Sequence, residues 1–203
     1  MPGGGSLTLT GRRVQLRPLV VADFEQWREV RRYNHGWLSP WEPRQPATAG
    51  DVVGDRRAFA SRCGVRERER QLGSGYGFGI FLGDRLAGEI NLSSVQRGPF
   101  QNAYVGYWMD RRLAGQGYVP EAAVVAFRFA FEELRLHRLQ VSIIPRNRAS
   151  RRVAEKLGLR DEGVAERYLE INGSWEDHLR YAITAEEWAR RRDELLGAWV
   201  GPA

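Results

Sequence analysis

The sequence predicts a single α/β domain of α+β character, built on a mixed, mostly antiparallel central sheet of about seven strands flanked by helices. Three observations carry that prediction. The apolar pattern changes period along the chain in the order strand, helix, helix, three strands, helix, strand, helix, two strands, helix. The three consecutive strands are joined by a tight turn and then a longer turn over Gln96–Gln101, which makes them an antiparallel meander. Finally, 42% apolar residues and seven tryptophans in 203 residues are enough for a core that needs no disulfide staples.

The first residues, MPGGGSLTLTG, have neither the apolar core of a signal peptide nor a clear period, so residues 1–11 are expected to form a flexible tail and residues 12–203 the domain. Arg12 to Leu16 alternates ahead of Pro18 and reads as the first strand. A helix should start near Asp23 and run to Tyr33, with Phe24, Trp27 and Val30 on its apolar face. The segment HGWLSPWEPRQP holds three prolines within seven residues, so it is expected to be a loop displaying Trp37 and Trp41. From Thr48 to Gln71 a second helix is expected, capped by Thr48 or Asp51 and ending in the charged run RERERQ.

Phe78–Leu82 and Leu86–Leu92 read as a hairpin about Gly83-Asp84, and Ala103–Met109 as the third strand of the meander. Val124, Val125, Phe127, Phe129, Phe131 and Leu134 give a helix apolar on more than one side, as suits packing against a sheet. Leu139–Ile144 is a short strand ended by Pro145. Asn147 should cap a helix through Leu157 that stops at Gly158. Val164–Ile171 and Trp175–Ile183 form a last hairpin about Asn172-Gly173, and Thr184 with Glu187 makes a capping box for a final helix to Leu196.

Composition narrows the function classes. The single cysteine, Cys63, cannot form an internal disulfide, so a reducing cytoplasm is the expected location, and no apolar run approaches a membrane span. The three histidines, His35, His137 and His178, have no metal-ligand spacing, and no metal is expected. A formal charge of +6 favours anionic partners such as phosphate-bearing cofactors. Most of the arginines fall on helices and read as solvated faces, so no direct nucleic-acid role is expected.

Chemistry concentrates in Tyr104–Phe131, where an aromatic strand leads through a glycine turn into an apolar helix. Glycines at 115 and 117 let the backbone approach a ligand, and the first turn of the helix offers unpaired amides beside its positive dipole end. That is an anion cradle sized for a pyrophosphate. A tight strand-to-helix connection would use the same residues.

Four blocks in order lift the cradle above that alternative: WLSPWEP, WMDRRLAGQGYVPEA, HRLQVSIIPRNRASRRVAEKLGLRDEG and RYLEINGSWEDHLRYAIT. Together they resemble the GNAT superfamily of acyl-CoA-dependent N-acetyltransferases, and more closely its Rim-type branch, which acetylates protein N-terminal amines, especially the ribosomal-protein alanine N-acetyltransferases. The resemblance covers nearly the whole chain. It implies acetyl-CoA as co-substrate and transfer to the α-amine of a peptide or protein N-terminus, a ribosomal protein among the candidates, by direct attack in a ternary complex. It leaves open a monomer or a homodimer. Within the glycine turn two frames of the family's acetyl-CoA loop compete. The spacing favours Ala114, Gly115, Gln116, Gly117, Tyr118 and Val119 over the frame that begins at Arg112.

The resemblance also implies that the Met109 strand end holds the pantetheine arm and that Asn147 hydrogen-bonds the cofactor. The tyrosine that protonates the leaving thiolate in many GNAT enzymes is replaced here by Ala154. Ser150 matches the serine offered for that task in Rim-type enzymes, and a helix-cap or surface serine would look the same. Glu89 is the candidate base, because the glutamate of Rim-type relatives is missing at Leu169 and Glu170 points to the other strand face. Trp37, Trp41, Tyr168 and Trp175 are the candidate acceptor groove. The missing tyrosine and the basic balance keep two alternatives open: acetylation of a small-molecule amine such as an amino-acid conjugate or antibiotic, and a non-catalytic acyl-CoA-binding module.

Overall fold

Strand pairing in the computed structural model, which describes residues 7–44, 48 and 50–201, produces one eight-stranded sheet. The strands are β1 (Leu9–Thr10), β2 (Gln15–Arg17), β3 (Tyr76–Leu82), β4 (Arg85–Gln96), β5 (Asn102–Met109), β6 (Arg138–Ile143), β7 (Arg160–Ile171) and β8 (Ser174–Thr184). Their order across the sheet is β1-β2-β3-β4-β5-β6-β8-β7, and every pair is antiparallel except β5 with β6. Six helices flank it: α1 (Phe24–Tyr33), α2 (His35–Leu38), α3 (Arg56–Gln71), α4 (Tyr118–Arg128), α5 (Arg148–Lys156) and α6 (Ala185–Trp199).

The mixed, mainly antiparallel sheet is the predicted fold, with one strand more than expected. The extra strand is β1, inside the segment read as a tail: Leu9 is buried and pairs with Leu16. Residues 1–6 lie outside the described residues. The strand expected over Arg12–Leu16 moves to Gln15–Arg17, because the amides of Arg13 and Val14 donate to the Glu121 carboxylate and not to a neighbouring strand.

Two helix expectations are corrected. Trp37 sits in the short helix α2, not on an irregular loop, and Trp41 closes a single tighter turn over Ser39–Trp41. The prolines do not prevent this, since Pro40 occupies an early position of that turn where no amide is needed. The helix expected from Thr48 begins only at Arg56, where the Asp55 side chain accepts from the Arg57 amide at 2.7 Å. Asp51 closes a separate turn onto the Gly54 amide (2.8 Å) and pairs with Arg32 (2.7 Å).

Side-chain alternation divides the sheet into two faces. One packs on α4, α5 and α6 through Phe78, Ile80, Ile90, Leu92, Val105, Leu139, Val141 and Ile183. The other carries a smaller cluster of Phe24, Trp27, Phe59, Phe81 and Leu86 under α1 and α3. β5 and β6 pair only where Asn102–Tyr104 faces Arg138–Gln140. Beyond Tyr104 the strands diverge, so the sheet has a gap beside Val105–Met109, while the other edge of β5 stays bonded to β4 up to Gly88 opposite Met109. A Cβ on Gly88 would collide with the Trp108 carbonyl oxygen, so that close approach admits only glycine.

Candidate active site

The glycine turn sits at the end of β5 against the gap. Gly115 and Gly117 both hold positive φ, at 82° and 86°, and Gly117 is the residue from which α4 starts. The first intrahelical bond is made by the Glu121 amide to the Gly117 carbonyl, so the amides from Gly115 to Val119 precede the helical ladder. A Cβ on Gly115 would meet nothing within 4 Å, whereas one on Gly117 would stand 3.3 Å from Arg13 Nη2 and from the Trp199 ring. These residues fit a pyrophosphate. The cradle is held by a carboxylate: Glu121, fully buried, accepts from the amides of Arg13 and Val14 and from Arg13 Nε at 2.8 Å. The same guanidinium donates to the Gln116 carbonyl at 3.1 Å and lies 4.6 Å from the centre of the Tyr118 ring, so it adds positive charge to the cradle.

The end of β5 is fixed from the other side by buried polar groups. Asn34, with no exposed surface, donates to the Val30 carbonyl (2.8 Å) and to Asp110 (3.1 Å), and accepts from the Arg111 amide (2.8 Å). Burial would raise the Asp110 carboxyl, yet the hydrogen bonds from Arg112 and Asn34 outweigh it and hold it below the usual carboxylate range.

Asn147 caps α5, its side chain accepting from the Ser150 amide at 3.1 Å. Ser150 faces β5, where the Tyr107 hydroxyl lies 2.9 Å from Ser150 Oγ and 3.3 Å from its carbonyl oxygen. Burial pushes the Tyr107 phenol up to about 12, with the Ser150 hydrogen bond opposing the shift. Tyr107 was not among the residues singled out from sequence. Its contact spans 43 positions, and no local pattern announces it.

Glu89 falls on the opposite face. It is buried, with one oxygen accepting from the Trp27 indole at 2.8 Å and the other paired with Arg62. Its visible work is to tie α1 and α3 to the sheet. Met109 ends β5 with its side chain in the main core, and its backbone borders the gap.

The four aromatics of the expected groove are only partly brought together. The turn of the last hairpin docks on the first loop, with the Asn172 amide donating to the Glu42 carbonyl at 3.0 Å. Arg146 lies 5.5 Å from the Trp41 ring and pairs with Glu176 at 2.8 Å. Tyr168 packs on His178 and Arg180 on the same sheet face, and His178 Nδ1 lies 2.9 Å from the Glu176 carbonyl oxygen. Trp37 lies apart, lining an open cleft of about 450 Å³ with Tyr33, Gly36 and Arg111. Trp175 does not join them. It is 65% exposed, and strand alternation sets it on the face opposite Glu176 and His178. No cluster of three or more metal-ligating side chains occurs among the described residues, and none of their helices is long and apolar enough to cross a membrane.

Comparison with known proteins matches this arrangement to one family. The acetyltransferase (GNAT) domain model matches residues 13–160. The ribosomal protein uS5-alanine N-acetyltransferase of Escherichia coli is 32% identical over 188 residues, covering 91% of this chain and 94% of that protein. YjcK of Bacillus subtilis, described as a probable N-acetyltransferase, is 35% identical over 177 residues, covering 86% of this chain and 96% of its own. The structure of Mycobacterium smegmatis RimJ in complex with CoA-disulfide superposes with a TM-score of 0.85 at 31% identity, covering 95% of this chain and 93% of that one. The chain belongs to the GNAT family, beside the Rim-type ribosomal-protein acetyltransferases, and is an acyl-CoA-dependent N-acetyltransferase.

Proposed function

We propose that this enzyme transfers acetyl from acetyl-CoA to the α-amine of a peptide or protein N-terminus, by direct attack while both substrates are bound. The observation that carries the reading is the gap between β5 and β6, with the glycine turn after the end of β5 and Ser150 on the α5 face beside it. The names of the relatives favour the same substrate class, since the Escherichia coli protein is a ribosomal protein uS5-alanine N-acetyltransferase.

Acetyl-CoA, when bound, supplies the thioester. The amides from Gly115 to Val119, with Arg13 beside them, hold the pyrophosphate. The gap-facing backbone of β5 up to Met109 receives the pantetheine amides as a further strand would, and Asn147 adds a hydrogen bond. In this reading the protonated Tyr107 turns its hydrogen to Ser150 Oγ and not to the Ser150 carbonyl, which leaves the serine's own hydrogen free to meet the sulfur as negative charge develops there. An α-amine has an ordinary pKa near 8, so a usable fraction is already neutral and water can take its proton. Glu89 is then not needed as a base.

Thioester consumption with acetyl-CoA and a panel of acceptors tests the reading: peptides with free Ala or Ser N-termini, the same peptides Nα-blocked, and small amines. Turnover confined to peptides with a free α-amine is expected. Turnover of small amines alone would refute the peptide reading, and no turnover of any acceptor would refute a catalytic role.

A further inference from the structure

The chemistry of the cleft beside Trp37 narrows the acceptor further. The cleft is lined by Tyr33, Gly36, Trp37 and Arg111, with a volume of about 450 Å³. Its side chains stand clear of one another at Gly36, where an added Cβ would meet nothing within 4 Å. Tyr33 is 59% exposed.

The arginines around this cleft are nearly all neutralised. Arg31 pairs with Glu42 at 2.6 Å, Arg32 with Asp51 at 2.7 Å and Arg112 with Asp110 at 2.6 Å. Arg112 also lies 4.2 Å from the centre of the Tyr33 ring. Arg111 is the exception. Among the described residues its guanidinium has no carboxylate partner, and it rests 5.6 Å from the centre of the Trp37 ring. Its position is nevertheless fixed, because its amide donates to buried Asn34, which also holds Asp110. A cation left unpaired while its neighbours are satisfied, held by a pinned backbone and backed by an aromatic face, is built to receive an anion that arrives with the ligand.

Arg111 follows Met109 by two residues, so its backbone lies within about 7 Å of the strand end that borders the gap. An acceptor whose α-amine sits at the gap spans that distance with its first two or three residues, each adding about 3.3 Å when extended. We propose that Arg111, with Trp37 and Tyr33 as flanking walls, is an acceptor subsite that selects an acidic side chain at the second to fourth position of the peptide. The same guanidinium would also suit a phosphate of the cofactor, so the test must separate the two sources. This inference rests on the peptide-acceptor reading above.

The experiment compares kcat/KM for peptides that share an N-terminal residue and carry Glu, Gln or Lys at positions two to four. The enzymes are the wild type, Arg111→Gln and Arg111→Glu, with the Kd of CoA for each measured by calorimetry. The wild type should prefer Glu over Lys peptides by about fivefold or more, the scale of one half-exposed ion pair. Arg111→Gln should abolish that preference and Arg111→Glu should invert it, with CoA affinity unchanged in both. Loss of CoA affinity with the peptide preference intact would assign Arg111 to the cofactor and overturn the proposal. A preference identical in all three enzymes would overturn it as well. If only small amines are turned over, the peptide reading fails by itself. The Arg111 site is then tested by an amino acid against its methyl ester, and it falls if Arg111→Gln does not weaken the discrimination between them.

Discussion

Tyr107→Phe probes the part-buried hydroxyl contact that joins β5 to α5 at Ser150, and it changes two observables in opposite senses. At neutral pH the variant removes the part-buried hydrogen bond between the phenol and Ser150 Oγ, a loss of about 1 kcal/mol in stability for a neutral pair. The second effect is a linkage. The phenol's pKa rises from 10.0 to about 12 on folding, so between those values the folded protein keeps a proton that the unfolded chain releases. The stability attached to that proton is complete below pH 10 and is lost as pH rises toward 12. Two units at about 1.4 kcal/mol each set a ceiling near 3 kcal/mol, of which about 2 should be gone by pH 11.5. Urea unfolding at pH 8 and at pH 11.5 should therefore show the wild type ahead by about 1 kcal/mol at the lower pH and behind at the higher, since the phenyl ring of the variant has no proton to lose. In catalysis Tyr107→Phe should lower kcat by about tenfold with an unchanged KM for acetyl-CoA, part of the range for acid assistance. Combined with Ser150→Ala it should add nothing, because the tyrosine acts through the serine. Parallel pH–stability curves would refute the buried protonated phenol. Additive kcat losses would refute the coupling.

Two further substitutions separate the cradle from the sheet anchor. Gly117→Glu puts a carboxylate before the free amides, at a backbone φ of 86° that L side chains rarely adopt and with its Cβ 3.3 Å from Arg13 Nη2. The Kd of acetyl-CoA should rise by ~100-fold or more in a calorimetric titration, and an unchanged Kd would rule out the turn as the pyrophosphate site. Glu89→Gln keeps an acceptor for Trp27 and removes the partner of Arg62, so Tm should fall by a few degrees, on the order of 1–2 kcal/mol. Its kcat at 20 °C should stay within about threefold of wild type, and the rise of kcat/KM through about pH 8, set by the acceptor amine, should not move. A hundredfold loss of kcat in a folded Glu89→Gln enzyme would return the base to that carboxylate.

What the sequence made legible was local. Asn147 and Thr184 cap their helices as their spacing requires, with Glu187 accepting from the Thr184 amide at 2.8 Å, and Asn172-Gly173 takes the positive φ values its hairpin needs, 50° and 85°. The glycine turn belongs to the same class, since two glycines before an apolar helix act within six residues. What escaped depends on register and long-range pairing. Glu121 meets Arg13 across 108 positions, and that contact both shifts β2 and places a cation at the cradle. Glu89 looked available from its own strand, but its partners come from two helices that the strand cannot foretell. Two irregularities in the β7–β8 pairing, with positive φ at Arg167 and Gly163, disturb the alternation of β7. Tyr168 therefore joins the face that carries His178, while Trp175 is left on the other.

The absent family tyrosine at Ala154 follows from the same division of faces. Ala154 has no exposed surface and belongs to the main core under α5, so a phenol there would need volume that the packing does not leave. β5 supplies a phenol from the opposite direction. Alternation sends Trp108 to the α1 and α3 face and Tyr107 to the α5 face, where its hydroxyl reaches Ser150 one turn before position 154. On the reading proposed above, a small serine on the helix then meets the sulfur, and the strand tyrosine orients it without entering the gap itself. Because β5 also borders the glycine turn and the gap, on that reading a single strand would fix both the cofactor's backbone contacts and the donor that assists its thiolate. Substitution of Ala154 by tyrosine would restore the family letter at the cost of overpacking the core, and would not restore the geometry.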